Sequence, residues 1–474
     1  MKLLGGRRPA IVLVALMLLA TVGWVLWPSG PEVRGEDHTI TVVDGPADDQ
    51  RVTIDATFFP PAGGGRGPLV LLGHGFGGSK QSVREQAMLL ARQGYAVLTW
   101  SARGFGRSTG QIALNSPDYE VKDVKQLIDW AAKRPEVVLD APGDPRVGMT
   151  GASYGGAIAL MTAAYDTRVD AIVPMITWHD LADALFPNAT GGGPENGVFK
   201  RMWAGLFFNR GGGTPSISGV GGLGGAAGGG GGGPDGGNEA GRDDAGTAPD
   251  GSGRPSPSAT RGQGRAPTEQ EVRCGRFLPE ICDIYRQVAE TGTPTPEAIE
   301  LLRRSSPISV EGRIRVPTLL IQGQRDSLFP LSHADANARA IAATGAPVRV
   351  AWYAGGHDGG DDETDWVDEQ IVAWFDRYLK RTDAAEAAAP AFTVTRDGGR
   401  DPGTRRPVLV HATSGRYPGL AGTQTRRVPL AGPAQPVASP PGGSPAAISA
   451  VPGLAGIAGG GGGFGVAVDM PGQF

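Results

Sequence analysis

Two patterns of apolar residues occur in the first part of the chain. Apolar and polar positions alternate over Thr39 to Val43 and over Arg51 to Phe58, which is typical of strands with one buried face. The run from Pro68 to Leu72 is apolar throughout and stops at Gly73, which predicts a strand buried on both faces. Strands of the second kind occur where helices cover both sides of a parallel sheet. We therefore expect such a sheet at the centre of the molecule.

Helix-like and strand-like segments then follow one another in turn. The predicted helices are Ser82 to Arg92, Tyr119 to Lys133, Ala157 to Tyr165 and Asp362 to Lys380. The predicted strands are Tyr95 to Trp100, Arg146 to Thr150, Ala171 to Ile176, Pro317 to Gln322 and Val348 to Tyr353. This alternation is typical of an α/β fold, a mostly parallel sheet with helices on both faces. We expect it to occupy residues 37–380.

The alternation is interrupted between the strand that ends at Ile176 and the strand that begins at Pro317. We interpret residues 178–305 as an insertion that forms a cap. Its middle, residues 209–268, is rich in glycine and has too little apolar surface to offset the entropy of ordering. We expect that part to be a disordered surface loop. The flanks, Val198 to Phe208 and Cys274 to Leu302, carry aromatic and helical patterns and predict the ordered part of the cap.

The chain contains only two cysteines, Cys274 and Cys282, eight positions apart. In an exported chain this spacing favours a local disulfide, although two free thiols are the alternative. The absence of further cysteines, and of any C-x-x-C pair, excludes a cysteine-rich zinc site. The histidines are scattered, without an H-x-x-x-H or H-E-x-x-H pair. We expect no metal and no cofactor.

The N-terminus carries the features of a membrane-targeting segment. Lys2, Arg7 and Arg8 precede an apolar run from Ala10 to Trp27. Positive charges stay on the cytoplasmic side, so the rest of the chain is expected to be exported. We interpret residues 1–30 as an anchor that holds the protein on the extracytoplasmic face of a membrane. A cleaved signal peptide, which would give a secreted protein, is the alternative.

The overall charge excludes one class of partner. The chain has 44 Lys and Arg against 48 Asp and Glu, a net charge of -4. Apart from the first eight residues, it has no block rich in Lys or Arg. Nucleic-acid binding is therefore not expected.

The strongest local motif is Gly151-Ala152-Ser153-Tyr154-Gly155-Gly156, a G-x-S-x-G sequence between a predicted strand and a predicted helix. A tight strand-to-helix turn exposes the serine hydroxyl at the carboxyl edge of the sheet, and the small flanking residues let the turn close. We predict that Ser153 is a nucleophile. An incidental turn is the alternative.

A serine needs a histidine base that is oriented by a carboxylate, and the fold places the carboxylate before the histidine in the sequence. His357 lies in the glycine-rich loop after a predicted strand and can reach the same edge of the sheet, whereas His179, His333 and His411 are less well placed. Asp326 follows the strand Pro317 to Gln322 and precedes His357 by one strand-helix unit, so we predict it as the carboxylate. Asp358 and Asp361, on the loop of His357, are the alternatives.

An oxyanion needs two N–H donors, one from the residue after the nucleophile and one from an earlier loop. The first is Tyr154. The second is predicted to be Phe76, in the loop His74-Gly75-Phe76-Gly77 that follows a buried strand. His74 is expected to shape this turn rather than to act as a second base. The loop lacks a G-K-[ST] sequence, so nucleotide binding is not expected.

Several motifs together identify a related family. They are R-G-x-G-x-S-x-G from Arg103, the G-x-S-Y-G-G around Ser153, the segment from Pro317 to Asp326, and Gly355-Gly356-His357. In combination they resemble the Xaa-Pro dipeptidyl-peptidase and cocaine esterase family of serine hydrolases. The resemblance implies an α/β-hydrolase fold with an inserted helical cap and a C-terminal jelly-roll-like β domain. Residues 391–474 contain short β-like pieces and no closing element, so we expect a truncated copy of that domain.

The family resemblance implies Ser153, Asp326 and His357 as the catalytic triad and the Tyr154 amide as an oxyanion donor. Where the cocaine esterase branch offers a tyrosine hydroxyl, this chain has His74-Gly75-Phe76-Gly77, so a backbone amide is expected instead. The expected activity is that of a serine hydrolase acting through an acyl-enzyme on a small peptide or ester, similar to an Xaa-Pro dipeptidyl-peptidase. A carboxylic-ester hydrolase of the cocaine esterase type and a catalytically idle cell-surface binding module are the alternatives.

Overall fold

The computed structural model describes residues 33–188, 191–211, 274–382, 390–405 and 407–420, together with 429 and 432. Within these ranges ten strands form one sheet, in the order β1-β2-β4-β3-β7-β8-β9-β10-β11-β12. These strands are β1 Glu36–Asp44, β2 Gln50–Phe59, β3 Leu69–Gly73, β4 Ala96–Trp100, β7 Val147–Ala152, β8 Val169–Met175, β9 Thr318–Gly323, β10 Val348–Tyr353, β11 Phe392–Arg400 and β12 Pro407–Ser414. Two short strands, β5 Leu139–Ala141 and β6 Asp144–Pro145, pair separately.

The centre of the sheet is parallel. Strands β4, β3, β7, β8, β9 and β10 all run in one direction, and β2 joins β4 in the antiparallel sense. This strand order, with β1 and β2 at one side and the parallel strands crossing over between neighbours, is that of an α/β-hydrolase. The predicted fold class is confirmed.

Helices cover both faces of the sheet, and further helices form the cap. They are α1 Arg84–Arg92, α2 Glu120–Ala131, α3 Tyr154–Tyr165, α4 Leu181–Leu185, α5 Arg201–Gly211, α6 Pro279–Thr291, α7 Pro296–Arg304, α8 Leu331–Ala342 and α9 Thr364–Tyr378. Helices α2 and α3 contribute to the hydrophobic core on one face, and α1 and α9 contribute to the core on the other.

Strand β3 shows why its sequence is continuously apolar. Leu69 and Leu71 point into the core that contains α2 and α3, whereas Val70 and Leu72 point into the core that contains α1 and α9. Successive side chains of a strand face opposite sides of the sheet, so a strand between two helical layers needs an apolar residue at every position. The strand ends at Gly73, from which the loop that contains Phe76 leaves the sheet.

The cap is built from α4 to α7 in the described residues. A disulfide joins Cys274 to Cys282, with an S–S distance of 2.04 Å, and confirms the predicted pairing. The predicted disordered loop 209–268 differs at its start, because helix α5 continues through Gly211. The rest of that prediction lies outside the described residues.

The C-terminal region differs from the expected domain boundary. Strand β11 pairs parallel to β10, and β12 pairs antiparallel to β11. Both strands therefore extend the hydrolase sheet beyond residue 380, because the unpaired edge of β10 is available for a further strand. Nearly all of the remainder of the predicted β domain, 391–474, lies outside the described residues.

The predicted membrane anchor, residues 1–30, also lies outside the described residues. Among the helices that the structure describes, none combines the length and apolar character needed to cross a bilayer.

Candidate active site

Ser153 occupies a strained turn between β7 and α3. Its backbone angles are φ 57° and ψ -114°, a conformation that residues with a side chain rarely adopt. The turn is closely packed: a Cβ added to Gly155 would lie 2.2 Å from the carbonyl oxygen of Gly73, and one added to Gly156 would lie 2.8 Å from that of Met175. Glycine at these positions lets the turn sit between β3 and β8. The sequence places the helix start at Ala157, but α3 begins at Tyr154, directly after the serine.

His357 and Asp326 lie together at the same edge of the sheet. Their side chains come from the loops after β10 and β9, and His357 Nδ1 lies 2.7 Å from Asp326 Oδ2. The other oxygen, Asp326 Oδ1, accepts a hydrogen bond from the Phe329 N–H at 2.7 Å, and the Asp326 side chain is fully buried. The carboxylate therefore fixes the imidazole through Nδ1 and leaves Nε2 as the nitrogen for proton transfer.

The two alternative carboxylates have other partners. Asp358 accepts hydrogen bonds from the Ser327 N–H at 2.7 Å and from the Ser327 hydroxyl at 2.9 Å. Asp361 accepts from the Glu363 N–H at 3.0 Å. Asp326 is the carboxylate that contacts His357 through a hydrogen bond.

Ser153 and His357 line the same cavity, whose volume is about 230 Å³. Among the hydrogen bonds of the described side chains, none joins the Ser153 hydroxyl to His357. In hydrolases without bound substrate, this contact is often long and tightens only when the substrate is in place. The structure thus brings Asp326 and His357 into direct contact and places Ser153 on the wall of the cavity that His357 also lines.

Two of the other histidines, His74 and His411, have structural partners. His74 Nε2 accepts the Ala102 N–H at 2.9 Å, and its Nδ1 lies 2.7 Å from the Gly75 carbonyl oxygen. Burial lowers the pKa of His74 to about 4, so the ring stays neutral and shapes its loop, as expected. His411 Nε2 lies 2.7 Å from a carboxylate oxygen of Glu363.

Of the predicted oxyanion donors, Phe76 lies in the loop after β3 and Tyr154 is the first residue of α3. Phe76 and Tyr154 both line cavities that contain Ser153, and their rings pack edge to face with centroids 5.6 Å apart. In the described part of the chain, neither backbone N–H has a hydrogen-bond acceptor. Their role as oxyanion donors stays a prediction.

The Tyr154 side chain faces away from the serine, into a buried polar cluster that the sequence did not predict. Its hydroxyl donates to Glu120 Oε1 at 3.0 Å and accepts the Asn115 N–H at 3.1 Å. The Asn115 side-chain amide donates to the Tyr154 carbonyl oxygen at 2.9 Å. Burial raises the pKa of both Tyr154 and Glu120. The phenol holds the turn from behind, so only the backbone of Tyr154 can serve an oxyanion.

Arg103 adds the charge that this cluster needs. Its guanidinium is almost fully buried and lies 3.0 Å from Asp44 and 3.9 Å from Asp123. Arg103 is the first residue of the R-G-x-G-x-S-x-G motif, which was the one available signal for this cluster in the sequence.

Two residues of the predicted cap flank Val198 to Phe208 also reach the site, although the sequence does not assign either of them a role there. Trp203 packs edge to face against His357, with ring centroids 6.0 Å apart. Lys200 Nζ donates to the carbonyl oxygens of Ser327 and Leu328, beside Asp326. Burial lowers the pKa of Lys200 to about 8. Helix α5 and the residue before it therefore cover the loop that carries the carboxylate.

The described residues offer no site for a metal: no group of three or more His, Cys, Asp or Glu side chains converges in the ranges that the structure covers. The arrangement instead combines a strained serine, a histidine with its carboxylate partner, and two free backbone amides.

The fold is that of the α/β-hydrolases. The model of the X-Pro dipeptidyl-peptidase (S15) family matches residues 48–210 and confirms the resemblance that the motifs indicated. Over these residues the chain is similar to that family.

Similar proteins match part of the chain. An uncharacterized 31.7 kDa protein from Escherichia coli is 33% identical over 128 residues, which is 27% of this chain and 43% of that protein. The quorum-quenching protein AidA of Acinetobacter baumannii is 32% identical over 136 residues, 28% of this chain and 43% of AidA. The matched segment thus spans less than half the length of these relatives.

Among solved structures, a CocE/NonD family hydrolase from Staphylococcus aureus is similar to this chain with a TM-score of 0.48 and 14% identity. The similarity covers 82% of this chain and 60% of that one. An acylaminoacyl peptidase from Pyrococcus horikoshii has a TM-score of 0.44 and 14% identity, covering 77% of this chain and 44% of the peptidase.

Proposed function

We propose that this protein is a serine hydrolase that cleaves carboxylic esters through an acyl-enzyme. His357 Nε2 takes the proton of the Ser153 hydroxyl while Ser153 Oγ attacks the carbonyl carbon of the substrate. The oxyanion receives hydrogen bonds from the N–H groups of Phe76 and Tyr154. The imidazolium, held by Asp326, then returns its proton to the departing alcohol. In the second half of the reaction, His357 takes a proton from a water molecule, which attacks the acyl carbon. The bond to Ser153 Oγ then breaks, and His357 returns the proton to that oxygen.

One observation carries the proposal. Ser153 is held in a strained turn on the wall of the cavity that also contains His357, and His357 Nδ1 lies 2.7 Å from the buried carboxylate of Asp326. Backbone strain of this kind is unfavourable and persists only where surrounding contacts enforce it. It is common at active sites, whereas a turn with a purely structural role does not require it. The same arrangement argues against an idle binding module.

The family match favours a second candidate, the release of Xaa-Pro dipeptides from peptides. Such an enzyme must bind the ammonium group of the substrate next to a carboxylate on the acyl side of the serine. The cavity under the cap, which adjoins Ser153, has no charged side chain among the described residues that line it. We therefore favour the ester hydrolase.

The proposal is tested by the substitution Ser153→Ala. We expect it to abolish labelling by a fluorophosphonate probe and to lower kcat on p-nitrophenyl esters by at least about 10⁴-fold, because the nucleophile is lost. Ser82 lines the same cavity, so Ser82→Ala is the matched control and should keep both the labelling and most of the activity.

Two results would contradict the proposal. One is labelling of the Ser153→Ala variant at the wild-type level. The other is a folded wild-type chain that neither reacts with the probe nor turns over esters and Xaa-Pro anilides, which would favour the binding module.

A further inference from the structure

Two chambers meet at Ser153. The first, here called the cap chamber, lies beneath the cap and is lined by Leu185, Phe208, Ile284, Ala298, Leu301 and other apolar residues. The second, here called the histidine chamber, is lined by Gln86, Leu206, Tyr353, His357, Asp362 and Asp368, among others. Ser153, Phe76 and Phe207 belong to the walls of both chambers. A substrate attacked by Ser153 can therefore extend in two directions.

The cap chamber is apolar. In the ranges that the structure describes, its wall consists of aliphatic and aromatic side chains apart from Ser153, and it contains no Asp, Glu, Lys, Arg or His. Its volume is about 90 Å³. This is less than half the volume of the histidine chamber, about 230 Å³.

The histidine chamber differs in chemistry and size. Its volume is about 230 Å³, and its wall carries the polar side chains of Gln86, Asp362 and Asp368 in addition to His357. Gln86 donates to Asp368 at 2.7 Å. Burial raises the pKa of both Asp362 and Asp368. This chamber can therefore accept a polar group.

The chemistry of acyl transfer decides which part of the substrate enters which chamber. When the ester C–O bond breaks, the leaving oxygen takes a proton from His357, so the alcohol part must lie on the side of the imidazole. His357 lines the histidine chamber and does not line the cap chamber. The acyl part stays bonded to Ser153 Oγ and extends into the other chamber.

Building on the proposed function, we infer that the cap chamber is the acyl site and selects uncharged hydrocarbon acyl groups. An ammonium group in this chamber would be buried without a carboxylate, which is strongly unfavourable. The substrates are therefore esters of uncharged aliphatic or aryl-substituted carboxylic acids, and the alcohol part occupies the histidine chamber.

Two ester series test the assignment on the full chain. The first varies the acyl group of p-nitrophenyl esters from acetate through butyrate, hexanoate and octanoate to dodecanoate. We expect kcat/KM to rise about 10- to 100-fold from acetate to hexanoate, because each added methylene is buried, and to fall again for dodecanoate. The second series keeps the hexanoyl group and compares the ethyl ester with the 1-naphthyl ester. For each ester, the kcat/KM of a variant is divided by that of the wild type.

The chain offers a matched pair of variants, because Leu185 and Leu206 are both partly buried and line different chambers. Leu185→Trp should move the preferred acyl group to butyrate or shorter and lower kcat/KM on octanoate at least tenfold, with less than a threefold change on acetate. Leu206→Trp should keep the acyl-length profile and lower activity on the naphthyl ester relative to the ethyl ester. If Leu185→Trp does not fold, Ile284→Phe fills the same chamber with a smaller change.

The outcomes separate the two proposals. The inference is overturned if Leu206→Trp, rather than Leu185→Trp, shortens the preferred acyl group. It is also overturned if Ala-Pro p-nitroanilide is a better substrate than the hexanoate ester, although Ser153-dependent hydrolysis would then still stand. Loss of the proposed function would appear differently, as esterase activity that is absent or unaffected by Ser153→Ala.

Discussion

Asp326 and Asp358 both lie near His357, but they form hydrogen bonds with different partners. Asp326 binds the imidazole at Nδ1 and the backbone of Phe329, whereas Asp358 binds the backbone and hydroxyl of Ser327. The first contact sets the tautomer of the base, and the second sets the shape of the loop that carries the first aspartate. Substitution of each by asparagine separates these roles.

We expect Asp326→Asn to lower kcat by about 10³- to 10⁴-fold with little effect on folding. The amide has the same shape as the carboxylate, but it favours the wrong imidazole tautomer and does not stabilise the imidazolium. Ester hydrolysis under saturating substrate gives kcat, and circular dichroism checks the fold.

Asp358→Asn is the matched control for that experiment. An asparagine oxygen can still accept the Ser327 N–H, so we expect kcat to change by less than about tenfold, with some loss of stability. An equal loss of kcat in the two variants would show that Asp358, and not Asp326 alone, orients the base.

At the scale of single residues, the sequence predicted those parts of the site that local patterns encode. Ser153, Asp326 and His357 each follow a strand that its own apolar run identifies, so their common edge could be predicted. Glu120, Lys200 and Trp203 reach the site only through tertiary packing. The aromatic pattern of Val198 to Phe208 predicts a cap segment that contains Lys200 and Trp203, but no local pattern indicates which of its residues contact the site.

The short segment Cys274 to Leu278 connects the cap to the core. The Ile112 N–H donates to the Arg276 carbonyl oxygen at 2.7 Å, and the Leu278 N–H donates to the Ile112 carbonyl oxygen at 3.1 Å. Phe277 is buried and lines the cap chamber. The disulfide between Cys274 and Cys282 closes a loop around this segment and holds it at the start of α6.

We expect the double variant Cys274→Ala/Cys282→Ala to lower the free energy of unfolding of the cap by about 2–3 kcal/mol, since the short loop gains entropy in the unfolded chain. Denaturant titration measures this change. Reduced wild-type protein should unfold like the variant, and dithiothreitol should leave the variant unchanged. A variant as stable as oxidised wild type would mean that the core contacts alone hold the segment.

A disulfide also fits the proposed export of the chain to an oxidising compartment.

At the scale of elements, the sequence predicts strands at the centre and at both edges of the sheet, but not that the last two strands join this sheet. A strand between two helical layers has an unbroken apolar run, as in β3, and this signal is independent of the rest of the fold. The sequence pattern predicts the start of α3 three residues too late, because Gly155 and Gly156 are poor helix formers. Close packing against β3 and β8 nevertheless requires glycine at these two positions. The pairing of β11 with β10 depends on a free strand edge, which a sequence pattern does not encode.

For the whole molecule, the response to acid combines opposing contributions. Burial lowers the pKa of His74 to about 4 and that of His333 to about 3, so both stay neutral in the folded protein over a range where the unfolded chain binds protons. Burial also raises the pKa of Asp170 to about 6, and protonation of this group on acidification favours the folded state. The pH dependence of the free energy of unfolding of the wild type therefore does not separate the histidine contributions from that of Asp170.

A difference curve isolates the contribution of His333, which accepts the His179 N–H at 3.2 Å and packs near Phe329. Its pKa is lower in the folded state, so its contribution to stability is present above the unfolded value of 6.5 and is lost as the pH falls toward 3. The free energy of unfolding of wild type minus that of His333→Gln should fall by about 1.4 kcal/mol per pH unit between pH 6 and pH 4. Urea titrations at half-unit intervals give this slope. Parallel curves for the two proteins would show that His333 binds a proton equally in both states, and that acid sensitivity of the fold arises elsewhere.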